Sequence, residues 1–275
     1  MRKETQRGCA VCGQFYPSVP EELRRNIREL IERAGTPEIK GKVKGIVSPH
    51  AGYMYSGLTA AHGYSLLKGK TYKTVVVVSP SHREYFDGIS VYPGRAYSTP
   101  LGIVPINEVL RNKLVERLPV LKLSLAGHGE EHAIEVQLPF LQYVLGSFSL
   151  LPIVIGDQKR EYCLALGEAL GAELEQEETL LVASTDLSHY HDSETANHLD
   201  AIAIEDVARF DHEALMSDLE SQRTEACGGG PTVAVMLALK RLGSKNMTIL
   251  HRCNSGEITG DQRQVVGYLS AAAYA

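Results

Sequence analysis

The stretch Thr74-Val75-Val76-Val77-Val78-Ser79-Pro80-Ser81-His82 decides the fold. Its four valines run without polar interruption, so both faces of the segment are apolar. β-branched residues favour strands, and a strand apolar on both faces is one covered on both, as in a parallel sheet flanked by helices. Ser79-Pro80 stops the run, because a residue before proline is biased away from helix and the chain turns. His82 therefore arrives at the carboxyl edge of a buried strand. Ligands of open α/β sheets bind outside that edge.

The neighbouring segments fit the same plan. Residues 43–48, 149–156 and 179–185 read as further buried strands, with 88–94, 101–107, 246–252 and 264–274 as shorter or closing ones. Helical patterns cover 58–68, 107–117, a stretch from about 131, 160–174, 195–210, 212–221 and a helix opening at Pro231. An earlier helix runs to about Ala34, with Leu23, Ile27, Leu30 and Ile31 on one face and a capping box at Ser18-Val-Pro-Glu21. Strands alternating with helices predict an α/β fold with a largely parallel or mixed central sheet, and a single domain over residues 1–275.

Composition narrows the function. The 275-residue chain is 44% hydrophobic and 22% charged, with a net charge of −5 and no long basic run, which argues against nucleic-acid binding through phosphates. No stretch approaches the roughly 18 apolar residues of a membrane span. The polar start MRKETQRGCAVCG lacks the apolar core of a signal peptide, so a cytoplasmic location is expected. Five widely spread cysteines do not form a secreted disulfide framework. Cys9-Ala-Val-Cys12 has no second pair to complete a zinc site and reads as a frayed terminus carrying two thiols.

Two more strands end as the valine strand does. Strand 43–48 is followed by Pro49-His50, and strand 179–185 by Asp186-Leu187-Ser188-His189-Tyr190-His191. Neutral imidazole is the commonest metal ligand, and parallel strands lie about 4.8 Å apart, so imidazoles from neighbouring ends can reach one ion. Cys227 lies in Thr224-Glu-Ala-Cys-Gly-Gly-Gly-Pro231. Its glycines permit close approach and positive φ, and a following helix N-terminus stabilises a thiolate. A small buried residue before a glycine turn is an equal reading. Cys163 reads as core.

His128-x-x-Glu131-His132 fits the H-x-x-E-H pattern of inverted zinc proteases, but Gly127 and Gly129 oppose helix across the first histidine. A substrate-binding or supporting role for Glu131, His132 and Glu135 fits better, with a structural charge pair as the alternative. Tyr53, Tyr55 and Tyr190 can orient a substrate or pack as wall.

The segments Pro49-His-Ala-Gly-Tyr-Met-Tyr-Ser-Gly57, Ser79-Pro-Ser-His82, Glu131-His-Ala-Ile-Glu-Val-Gln-Leu-Pro-Phe140, Ser184-Thr-Asp-Leu-Ser-His-Tyr190, Ala226-Cys-Gly-Gly-Gly-Pro231 and Gly13-Gln-Phe-Tyr-Pro17 resemble, in order and spacing, those of the Memo family. Its prokaryotic members are called protein B of the AmmeMemoRadiSam system. The resemblance implies a fold like class III extradiol dioxygenases, which hold Fe(II) with two histidines and a carboxylate. It matches His50 and His82 to the histidine ligands, and His189 and Asp186 to the catalytic pair. Cys227 takes the carboxylate's place, and His128 has no counterpart. With that thiolate, Cu or Zn compete with Fe(II). The resemblance thus implies a metal-dependent redox enzyme with a His50/His82/Cys227 site, a small-molecule or peptide substrate entering over Tyr53 and Tyr190, and association with a radical SAM enzyme and an AMMECR-type protein. A non-enzymatic adaptor using the same pocket is the second expectation.

Overall fold

The computed structural model describes residues 6–174 and 178–275. In chain order the first elements are β1 (Gln6–Arg7), α1 (Pro20–Ala34), β2 (Val43–Ser48), α2 (Tyr53–Ser65) and β3 (Thr74–Pro80). Then come β4 (Ile89–Val91), β5 (Ala96–Thr99), β6 (Gly102–Pro105), α3 (Glu108–Arg117), β7 (Leu121–Leu123), α4 (Gln137–Leu145) and β8 (Ser149–Ile155). The remainder are α5 (Arg160–Glu173), β9 (Thr179–Ser184), β10 (His189–His191), α6 (Ser193–Ala208), α7 (His212–Glu220), α8 (Gly229–Arg241), β11 (Asn246–Asn254), α9 (Ser255–Thr259) and β12 (Val265–Tyr274).

The main sheet runs β10-β12-β2-β9-β3-β8-β4-β7, with β11 paired to β12. Its centre, β2-β9-β3-β8, is parallel throughout. β12 and β4 join that centre antiparallel, so the sheet is mixed. A separate small sheet has the order β1-β5-β6.

The valine run explains the layering. Val75 and Val77 pack with α1, α2 and α4 on one face, and Val76 and Val78 with α3, α5 and α8 on the other. All four valines are fully buried. Burying each contributes about 1.5–3 kcal/mol. Among the described residues no helix is long and apolar enough to cross a membrane.

Several local expectations are corrected. α1 begins at Pro20 after Val19, with no side-chain cap, so the capping box at Ser18 does not form. Proline at the helix start supplies the fixed φ and needs no N–H partner. α4 starts at Gln137 rather than 131, and Pro139 sits in its first turn, where a missing N–H costs nothing. Residues 128–136 are therefore a loop. The segment around Cys9 and Cys12 is tied down, not frayed: Ala10 N and Val11 N donate to Glu135 at 2.7 and 3.0 Å.

Candidate metal centre

Three adjacent parallel strands, in the order β2-β9-β3, end beside one another. Each delivers a polar residue two positions past its end: His50 after Ser48, Asp186 after Ser184, and His82 after Pro80. The rings of His50 and His82 lean together over the end of β9, with centroids 5.0 Å apart.

The third imidazole comes from the loop before α4. His132 lies 4.7 Å from His82 and 5.4 Å from His50, ring centre to ring centre. One nitrogen from each of His50, His82 and His132 lies within 4.8 Å of the other two, a spacing that fits a single ion.

The hydrogen-bond network aims two of these rings. Ser184 Oγ donates to the Ala133 carbonyl at 2.7 Å and accepts from Gln137 Nε2 at 2.8 Å. Its remaining capacity is as an acceptor, so His50 Nδ1, 2.8 Å away, carries the proton and donates to it. The lone pair of His50 is thereby on Nε2. His82 Nδ1 lies 2.9 Å from Glu131 Oε1, which likewise puts its proton on Nδ1 and leaves Nε2 to bind. His132 keeps a buried Nδ1 with no hydrogen-bond partner among the described residues, 3.3 Å from Glu131 Oε1. Glu131 also accepts from the backbone N–H groups of His82, His132 and Ala133.

Electrostatics keeps His50 and His132 in their neutral, metal-binding form. Burial, with the neighbouring imidazoles, holds His50 well below the usual histidine range. Burial also pushes His132 down to about 4. Burial opposes ionisation of Glu131, but its bonds to His82 outweigh that and hold the carboxyl at about 2. Three converging imidazoles, one of them oriented by a carboxylate and one with a buried nitrogen left without a hydrogen bond among the described residues, fit a divalent cation.

The expected His50/His82/Cys227 set is not the group the structure brings together, because its third member is His132. Cys227 Sγ stands 3.2 Å from His50 Nε2 and 3.2 Å from the Asp186 N–H, outside the three-imidazole group. Burial and the nearby Asp186 push its thiol up, against the expected thiolate. The N–H groups of Asp186 and of Gly228 at the N-terminus of α8 act in the opposite direction but are outweighed. Gly228 N donates to Thr185 Oγ1 at 3.0 Å and Gly230 N to Gln158 Oε1 at 2.7 Å. The glycines serve close approach rather than positive φ: a Cβ on Gly228 would lie 2.2 Å from the Ser184 carbonyl oxygen.

All three histidines open on a cleft of about 960 Å³, together with Asp186, His189 and Cys227. Asp186 is buried; its Oδ1 accepts from His50 N at 2.8 Å and its Oδ2 lies 3.9 Å from His50 Nε2. Burial raises its pKa to about 7. His189 Nδ1 donates to the Leu187 carbonyl at 2.8 Å, which leaves Nε2 unprotonated, and burial lowers its pKa. Tyr190 is 71% exposed at the cleft, in the left-handed region at φ 63°. Tyr53 is buried, with its hydroxyl donating to the Val136 carbonyl at 2.8 Å, and Tyr55 lines the cleft instead. His128 is buried against Tyr97, its Nδ1 2.6 Å from the phenol oxygen and outside the imidazole group, which removes the protease pattern. His251, for which the sequence offers no partner, stacks on His62 at 4.4 Å.

The sequence reading missed His132 as a member of the cluster, Ser184 as the partner of His50, and Arg7. Only His132 carried a signal, as the histidine beside Glu131. Arg7 is buried, pairs with Glu135 at 2.7 Å, and lies in a terminal segment with no pattern to mark it.

A family model described as Memo-like protein matches residues 7–272. A MEMO1 family protein of Methanopyrus kandleri is 38% identical over 96% of this chain and 97% of its own length. One of Thermotoga neapolitana is 38% identical over 95% and 97%, and one of Methanococcus maripaludis 35% identical over 96% and 98%.

Proposed function

We propose that this chain, which belongs to the Memo family, is a metal-dependent enzyme whose ion is held by His50, His82 and His132. The observation that carries the reading is the set of three imidazole nitrogens within 4.8 Å of one another, opening on a large cleft. Three protein ligands leave coordination positions open, the pattern of catalytic rather than structural sites. Imidazole nitrogens accept Fe(II), Zn and Cu, and Fe(II) is the ion we propose. When bound, the metal would supply Lewis acidity and, were it Fe(II), one-electron chemistry; the oxidoreductive class we propose is the one that goes with Fe(II).

The protein's own groups do the rest. Glu131 and Ser184 fix the rings of His82 and His50. His189 takes a proton from the bound ligand at Nε2, since Nδ1 is committed to Leu187. Asp186 buttresses the backbone of His50. Tyr55 and Tyr190 give the cleft an aromatic wall for the body of a small molecule or short peptide.

Metal analysis of protein purified without oxygen tests this. One equivalent of metal is expected in the native protein, with loss of at least nine-tenths of it in His50→Ala. Full metal content in His50→Ala overturns the reading.

A further inference from the structure

His132 and Glu131 sit on a loop, and the loop is anchored from outside itself. Arg7 Nε donates to the His128 carbonyl at 2.6 Å, and Arg7 Nη2 donates to the Glu131 carbonyl. Its Nη1 donates to Glu135 Oε2 at 2.7 Å. The same Glu135 carboxylate accepts Ala10 N, Val11 N and the Tyr16 hydroxyl, the last at 2.6 Å. Phe15, in the same terminal segment, packs its ring 4.9 Å from that of His132. The guanidinium lies 4.8 Å over the ring of Tyr97.

We propose that Arg7 is a positioning residue of the metal centre: its guanidinium fork holds the 128–132 turn, and so sets where Glu131 and His132 stand relative to His50 and His82. This rests on the three-imidazole reading. A buried ion pair with Glu135 alone needs only a positive charge. Holding two carbonyls and a carboxylate at once needs a planar fork with donors at fixed angles, which lysine lacks. Arg7→Lys therefore separates pairing from positioning.

The probe is Co(II), titrated into the full chain, with affinity and the visible absorption spectrum as readouts beside the thermal midpoint. In Arg7→Lys, Co(II) affinity is expected to fall tenfold or more and the spectrum to change, while the thermal midpoint stays above that of Arg7→Ala. Leu110→Ala, a buried change in α3, controls for general loosening and is expected to keep native Co(II) affinity and spectrum. If Arg7→Ala does not fold, the comparison of Arg7→Lys with Leu110→Ala decides. Native Co(II) affinity and spectrum in Arg7→Lys, alongside their loss in His50→Ala, overturn this proposal alone. So does an equal loss of affinity in Leu110→Ala. Native affinity in His50→Ala overturns the imidazole site itself and this proposal with it.

Discussion

His50 and His132 face each other at 5.4 Å between ring centres, yet they are held by different means. His50 follows β2, hydrogen-bonded into the parallel centre of the sheet, and its ring leans on Ser184 at the end of the adjacent β9. His132 stands on a loop fixed by Glu131, by Glu135 through Arg7, and by the ring of Phe15. One side is set by backbone ladder bonds that any strand sequence forms. The other depends on side chains from a terminal segment more than a hundred residues away in sequence. Removing one partner of a buried ion pair such as Arg7–Glu135 costs about 3–5 kcal/mol. The loop side is therefore where the centre is most easily disturbed.

Substitutions that leave all three imidazoles in place sharpen the contrast. Glu131→Gln removes the charge that orients His82 and is expected to weaken metal binding about 10- to 100-fold in a chelator competition. Ser184→Ala removes the acceptor of the His50 ring on the strand side, where the backbone still places the residue at the end of β2. Its expected loss is about tenfold or less. Equal losses in the two variants contradict the contrast.

A smaller effect concerns acid stability. Burial, helped by Arg7, pushes His128 down to about 3 from its ordinary 6.5. Between those values the unfolded chain holds a proton that the folded chain refuses, so stability falls as pH drops through that window. His128→Gln is expected to flatten the fall of the thermal midpoint between pH 6 and 4. Other buried histidines keep part of the slope. Parallel native and variant curves contradict this.

The strand side was legible from sequence because burial writes itself into valine runs and Ser-Pro stops. His50, His82 and Asp186 followed from where those runs end, although the adjacency of β2, β9 and β3 is set by topology that no local pattern states. The loop side was legible only in part. Glu131 and His132 read as substrate-binding or supporting residues rather than as part of the imidazole group, and Arg7 as a charge near a terminus. Their roles come from contacts far apart along the chain. Cys227 stands at the cleft, as its local sequence implies, but burial and Asp186 raise its thiol by more than the backbone N–H groups around it lower it.

The most direct measurement compares bound metal in His132→Ala and Cys227→Ala, both purified without oxygen beside the native protein. A centre of three imidazoles is expected to lose its metal in His132→Ala and to keep about one equivalent in Cys227→Ala. Metal retained in His132→Ala and lost in Cys227→Ala contradicts it.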